Sequence, residues 1–225
     1  MAPSRPGTNT LLSALPANEH RRISTGCERV ALVRDAILSE PKAPVHHVYF
    51  PTNGFILLIA GAAPTEAIGV GLIGSKSVLG ASIALGPRRS TLQTQVLGAG
   101  EAMRMSADDF QSALLCCPIL RSSIQRHLDL QLTELARHAA CAVYHVLERR
   151  LAYWLILLQD QAPGAPIHLT HDRLARVLGV LRSGLSTAAG VLQRRGIIHY
   201  SRGQIIILNR RELRSAACHC GGVER

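Results

Sequence analysis

Apolar and polar positions follow different rhythms along this chain, and each rhythm predicts a different kind of structure. From Val30 to about Met105, short apolar runs alternate with Gly, Pro and Asn at close intervals: residues 45–50, 55–60, 67–73, 92–96 and 102–105. Pro51-Thr52-Asn53-Gly54 and Gly86-Pro87 read as turns between them. Many short strands with regular breakers predict an all-β block, an antiparallel sandwich or roll. Ahead of it, residues 9–23 read as a small helix, with Asn9 or Thr10 as N-cap and Leu11, Leu12 and Leu15 on one side.

Beyond Ser106 the breakers thin out and a helical period takes over. Ser106 reads as an N-cap with Asp108 and Asp109 in the first turn, leading into Phe110, Ala113 and Leu114. Over residues 119–137 the apolar positions Leu120, Ile124, Leu128, Leu132 and Leu135 recur at steps of four, four, four and three between charged flanks. Such a stripe can pack on its own β-block. Sustained over about five turns after that block is complete, it is better explained by a like helix from a second subunit. These five residues are therefore the expected dimer interface. A second helix over 144–159 places Val146, Leu147, Leu151, Trp154, Leu155 and Leu158 inward and stops before Ala162-Pro163-Gly164-Ala165-Pro166. A domain boundary is expected near 139–143.

Residues 167–208 carry the most information. Thr170 stands where a helix should start, and Leu174, Val177 and Leu178 share one face before Gly179-Val180 interrupts it. A further helix starts near Arg182-Ser183, runs through Leu185, Ala188, Ala189, Val191 and Leu192, and ends at Gly196. Two short helices around a glycine-containing turn make a helix-turn-helix. The runs 197–200 and 204–208 flank Ser201-Arg202-Gly203 as a hairpin, which completes a winged helix.

A helix has the right width for the DNA major groove, and side chains near its N-terminus reach base edges while flanking elements grip phosphates. Arg182, Ser183, Ser186 and Thr187 occupy the outward side opposite Leu185, Ala188 and Leu192 and are the candidate base contacts. Thr170, His171, Arg194 and Arg202 are the candidate phosphate contacts.

Composition supports this reading. The 225 residues are 47% hydrophobic, enough for one large domain or two smaller ones, and no run approaches a membrane span. The net charge of +10 favours a polyanionic partner. Residues 145–225 hold 12 basic and 5 acidic side chains, so most of the positive field lies in the last third. Arginines outnumber lysines 23 to 2, which suits bidentate phosphate contact, although a genomic bias toward Arg codons gives the same count and is the better explanation of it. Residues 1–9 match neither a secretory signal nor a transit helix, and a cytoplasmic location is expected. Cys27, Cys116, Cys117, Cys141, Cys218 and Cys220 are too few and too unevenly spaced for a disulfide framework, and are expected as reduced thiols. Cys116 and Cys117 are expected to be packing residues. Cys218-His219-Cys220 lacks the second ligand pair that would make a metal signal, so no metal and no cofactor are expected.

The chain resembles the Crp/Fnr family of bacterial transcription regulators over nearly its whole length. The resemblance rests on His47-Val-Tyr-Phe-Pro-Thr-Asn-Gly54, Gly71-Leu-Ile-Gly74, the stretch from Gly80 to Arg89-Ser90, Gly100-Glu101-Ala102, Leu169-Thr-His-Asp-Arg-Leu-Ala-Arg-Val-Leu-Gly179 and Gly190-Val-Leu-Gln-Arg-Arg-Gly-Ile-Ile198. It implies an α+β fold: an antiparallel β-roll of the cupin-like jelly-roll kind over residues 1–118, a long dimerisation helix over 119–142 and a winged helix-turn-helix over 143–225. It also implies a homodimer on near-palindromic double-stranded DNA, RNA polymerase as a further partner, and base reading by Arg182 and Ser183. Family members often carry Glu and a second Arg where this chain has Ser183 and Thr187, so the operator cannot be borrowed from them.

Cyclic-nucleotide binding in the family uses a Gly-Glu pair and an Arg-Ser pair. Arg89 and Ser90 match the second pair, whereas Ala81 follows Gly80 where the glutamate should stand. Losing that acceptor should weaken such binding severely. Arg88-Arg89 read better as turn residues at a β-hairpin. An oxygen-sensing iron–sulfur cluster would need about four cysteines at ligand spacing, and none precedes Cys27. A cupin-like metal enzyme would need converging His and Glu ligands. Within 30–105 only His46 and His47 occur, and Glu40, Glu66 and Glu101 show no ligand spacing with them, so no enzyme is expected. A winged helix that mediates only protein contacts is the remaining alternative, and steep salt dependence of DNA binding would separate it from a regulator.

Overall fold

The computed structural model describes residues 7–61 and 66–221. It is an α+β fold that divides into two compact units, Met1–Leu58 with Leu72–Thr133, and Ile59–Gly71 with Glu134–Arg225. Residues 59–71 thus group with the C-terminal part of the chain.

The sheet of the first part is built from β1 (Glu28–Leu32), β2 (Ile37–Ser39), β3 (His47–Ala60), β4 (Ile68–Ile73) and β5 (Gln93–Ser106). Its order is β1-β5-β3-β4, with β2 also on β5, and both β1 and β2 run antiparallel to β5. The expected turn at Pro51-Thr52-Asn53-Gly54 is absent, because β3 runs straight through it. Gly54 takes φ +70, and an added Cβ would lie 2.6 Å from the Gly98 carbonyl oxygen. A glycine in this conformation lets a strand bend against its neighbour without reversing. Asn53 is held in the strand as well, its side-chain oxygen accepting from the Glu101 amide at 2.7 Å.

Two helices replace the single one expected before the sheet. Asn9 caps α1 (Thr10–Ser13), its side-chain oxygen accepting from the amides of Leu11 and Leu12, and Pro16 separates it from α2 (Ala17–Thr25). Proline has no amide proton to continue a helix and fits at the start of the next one. Ser106 caps α3 (Ala107–Cys116) by accepting from the Asp109 amide at 3.0 Å, as the sequence predicts. Cys117 is buried and packs, whereas Cys116 is exposed, a departure from its expected packing role.

Helix α4 (Pro118–Tyr144) follows at once. Its first turn is held by buried Glu19 of α2, whose carboxylate accepts from the amides of Ile119 at 3.1 Å and Leu120 at 2.8 Å. The core here joins Ile23, Val48, Phe50, Ile83, Phe110, Leu120 and Ile124, with Phe50 and Phe110 meeting edge to face at 6.2 Å.

That core corrects part of the expected dimer interface. Leu120 and Ile124 are completely buried inside their own subunit and cannot face another. The reason is helical geometry: at about 100° per residue, each step of four turns the side chain about 40° further round the helix. A stripe at successive steps of four therefore drifts off its starting face. Leu128 is half-buried, Leu132 is 68% exposed and Leu135 is half-buried.

The second unit includes the end of α4, α5 (Leu147–Gln161), β6 (Ile167–His168), α6 (His171–Leu178), α7 (Arg182–Arg194), β7 (Ile198–Ser201), β8 (Gln204–Ile207) and α8 (Arg210–Ala216). Leu151, Trp154, Leu155 and Leu158 of α5 are buried, as the period predicts. Val146 is not: it sits at the N-cap of α5, where the helix starts later than expected, and it is exposed. Leu174, Leu178, Leu185, Leu192 and Leu213 are all buried in this unit. Among the described residues, no helix is long and apolar enough to cross a membrane.

Candidate nucleic-acid interface

The helix-turn-helix is set by local signals at each end of each helix. Thr170 caps α6, its hydroxyl accepting from the Arg173 amide at 3.3 Å. Gly179 ends it at φ +63, and the Val180 amide returns to the Ala175 carbonyl at 3.0 Å. A side chain at Gly179 would also collide with Ile68, 2.5 Å from an added Cβ. Helix α7 ends in the same way: Gly196 at φ +67 donates to Gln193, and the Ile197 amide donates to Leu192.

Leu185, Ala188, Ala189 and Leu192 form the buried face of α7. Arg182, Ser183, Ser186, Thr187 and Arg194 are all exposed on the rest of it. No side chain caps its N-terminus, and its first turn holds no acidic residue. The first amides of such a helix are unsatisfied donors carrying a partial positive charge. The Thr187 hydroxyl donates back to the Ser183 carbonyl at 3.1 Å.

The wing is a three-stranded sheet in the order β6-β8-β7. Arg202 and Gly203 form its turn, at φ +47 and +78, the twist that suits a two-residue hairpin. Arg202 is exposed at that tip. Tyr200 ties the wing to both helices. Its amide donates to the Gln193 side chain at 2.9 Å, its hydroxyl accepts from the His171 amide at 3.1 Å, and its ring stacks on His171 at 4.0 Å.

His171 is therefore partly occupied within the fold: its Nδ1 also lies 3.0 Å from the Ser186 hydroxyl. Burial lowers its pKa, and the nearby Arg182 charge adds to that shift while Asp172 opposes it. The ring is held toward its neutral form, so its chemistry here is that of a packing and hydrogen-bonding group. Gln193 and Tyr200 are functional supports that the sequence did not disclose. Their pairing joins a helix end to a strand, and no local pattern announces it.

The arginines of this unit fall into two groups. Arg195 bonds Glu148 at 3.1 Å, Arg210 holds Gln159 and Asp160, and Arg150 donates to the Leu178 carbonyl. Among the described residues, Arg182 pairs with Asp172 at 3.5 Å, the two side chains being 69% and 60% exposed. A solvent-exposed pair of this kind contributes about 0–1 kcal/mol and is readily exchanged for another anion.

Arg89 and Ser90, the candidate effector contacts, sit differently. The Arg89 guanidinium donates to the Lys42 carbonyl at 2.7 Å, and the Ser90 hydroxyl to the Leu92 carbonyl at 2.6 Å. Ala81 is buried in the core.

A short recognition helix packed on a partner helix and fastened to a hairpin defines a winged helix-turn-helix. Residues 149–216 match the Crp-like helix-turn-helix domain. No curated protein matches the chain, but solved structures do. The c-di-GMP responsive global regulator CLP from Xanthomonas campestris superposes with a TM-score of 0.70 at 18% identity, covering 85% of this chain and 99% of that one. FixK2 from Bradyrhizobium japonicum gives 0.73 at 14%, over 85% and 98%. A Crp/Fnr-family transcriptional regulator from Thermus thermophilus gives 0.69 at 21%, over 84% and 98%. The chain thus has the fold of Crp/Fnr-type transcription regulators and carries their helix-turn-helix domain.

Proposed function

We propose that this protein is a homodimeric, sequence-specific DNA-binding transcription regulator. The observation that carries this reading is the exposed N-terminal end of α7, where Arg182 and Ser183 stand clear of the core on a helix fixed from below by Leu185, Leu192 and the Gln193–Tyr200 bond. Arg182 and Ser183 read base edges, with Ser186 and Thr187 beside them. Thr170, Arg194 and Arg202 hold phosphates. His171 contributes to that contact by positioning Ser186 and the wing.

Dimerisation uses the part of α4 that its own core leaves open. Leu128 packs in part on that core, while Leu132, Leu135, Ala139 and Ala142 beyond it recur at steps of three, four and three, the spacing of a coiled-coil seam. Two copies then present their α7 helices to major grooves about one helical turn apart, on a near-palindromic site. Contact with RNA polymerase follows from a regulator role and rests on the fold alone. Arg89 and Ser90 are not assigned to an effector in this reading, because both donate to backbone carbonyls and Ala81 supplies no acceptor for a ribose hydroxyl.

Selection from a random duplex library, followed by salt titration on the selected site, tests the proposal. The expected result is two inverted half-sites about 10 base pairs apart, centre to centre, bound with an affinity that falls steeply with salt. Recovery of no preferred sequence, with no dependence on salt, would overturn it.

A further inference from the structure

Away from the recognition helix, four metal-binding side chains converge from opposite ends of the second unit. Cys141 and His145 are four residues apart at the end of α4, where the His145 amide still bonds the Cys141 carbonyl at 3.2 Å. That spacing puts a thiol and an imidazole on one helix face. Cys218 and Cys220 arrive from the other end of the chain. Helix α8 is anchored by the fully buried Leu213, and Ala217 then extends at φ −72 and ψ 157. The Cys218 amide next meets the Arg149 carbonyl at 3.4 Å, and a short 3-10 turn carries Cys220 back.

One ligand atom from each of the four residues lies within 4.8 Å of every other. The Cys141 and Cys218 sulfurs are 3.3 Å apart, and the Cys220 sulfur is 3.4 Å from His145 Nδ1. We propose that Cys141, His145, Cys218 and Cys220 form a tetrahedral Cys3His site for zinc, which fastens the end of the chain to α4. Zinc bonds of about 2.3 Å to sulfur and 2.0–2.1 Å to nitrogen place tetrahedral ligand atoms about 3.5–3.8 Å apart, a little beyond the 3.3 and 3.4 Å of these two pairs and inside the 4.8 Å that bounds all four atoms. An iron–sulfur cluster would distribute its four ligands over two or more irons and so place some of them much further apart. A disulfide would bring two sulfurs to about 2.05 Å and leave the other two ligands without a role.

Four protein ligands leave no open coordination position, so the site is structural. Cys141 and Cys218 are buried and the other two half-buried, which shields the metal from solvent. Three thiolates and one divalent ion leave one negative charge, and the positive charge of Arg137 acts on Cys220. Without an ion, burial and the neighbouring thiols oppose ionisation of Cys141, and a bound cation reverses that balance.

The test uses the full chain, reduced, loaded with zinc and freed of excess metal. One zinc per chain is expected by mass spectrometry. Cobalt in its place should give the strong visible absorption of a tetrahedral ion together with thiolate charge-transfer bands. Cys218→Ser, Cys220→Ser and His145→Ala should lose most of the metal, while Cys27→Ser and Cys116→Ser keep it. Because loss of metal could loosen the fold, Cys220→His provides a second reading: it should retain cobalt with weaker charge transfer and an unchanged tetrahedral spectrum. Folded wild-type protein that takes up no zinc, a weak octahedral cobalt spectrum, equal metal loss in Cys116→Ser, or a Cys141–Cys218 disulfide that persists under reductant would each overturn the proposal.

Discussion

Arg89 and Arg182 are both exposed arginines in stretches that the sequence marks as functional, yet they are used in opposite ways. Arg89 donates to the Lys42 carbonyl at 2.7 Å and helps to close a loop, while Arg182 pairs with Asp172 at 3.5 Å across solvent. A guanidinium fixed by a backbone carbonyl is held in one place by the fold, even though its other N–H donors are not used by that bond. One held by a screened surface pair gives up little to take a ligand. The same contrast runs along α4, where Leu120 and Ile124 are spent on their own core and Leu132 is left open. On the proposed function, exposure of a weakly held side chain is what marks the recognition surface off from the structural one.

The sharpest way to break this comparison lies on α4. Ile124→Ala should cost about 2–5 kcal/mol of subunit stability, as removal of buried aliphatic side chains does. Leu132→Ala should cost the isolated subunit little but shift the monomer–dimer equilibrium at least tenfold toward monomer, read by analytical ultracentrifugation. If Leu132→Ala destabilises the subunit as much as Ile124→Ala, the division of the helix into inner and outer faces is wrong.

Glu19 is a second inward commitment. Glu19→Gln keeps the shape but loses the charge that receives two amides at the start of α4, and should lower stability by about 1–3 kcal/mol in urea denaturation. A smaller effect is expected from pH. Burial lowers the pKa of His127 below its ordinary 6.5, so the unfolded chain takes up that proton more readily than the folded one. The contribution of His127 is complete above about pH 6.5 and is lost as pH falls below it. His127→Gln should flatten the fall of stability that sets in below about pH 6.5. The smallest effect belongs to Arg89→Ala, which should leave DNA affinity unchanged and shift the melting temperature only slightly.

The parts legible in the sequence were those whose cause is local. The caps at Ser106 and Thr170, the glycines at 179, 196 and 203, and the apolar periods of α5, α6 and α7 lie within a few residues of what they control. Strands β1 and β2 were not legible, because Glu28-Arg29 and a three-residue run show no strong apolar alternation. Pro51-Thr52-Asn53-Gly54 misled because a turn composition can equally mark a strand bending past opposed glycines at 98 and 100. Glu19 capping a helix a hundred residues away, Gln193 receiving the Tyr200 amide, and Cys141 beside Cys218 depend on tertiary proximity, which no spacing encodes. Cys218-His219-Cys220 and the helical spacing of Cys141 and His145 were half-signals in the sequence, and each has meaning only beside the other.

The central claim is that α7 reads sequence through its outward N-terminal end. Its most direct test is the ratio of affinities for a selected operator and for the same duplex with its half-sites scrambled, compared between wild-type protein and Arg182→Ala at fixed salt. The ratio should fall by about 1–3 kcal/mol, roughly 5- to 150-fold, with dimerisation intact. Equal losses on both duplexes, leaving the ratio unchanged, would make Arg182 a phosphate contact and contradict the account.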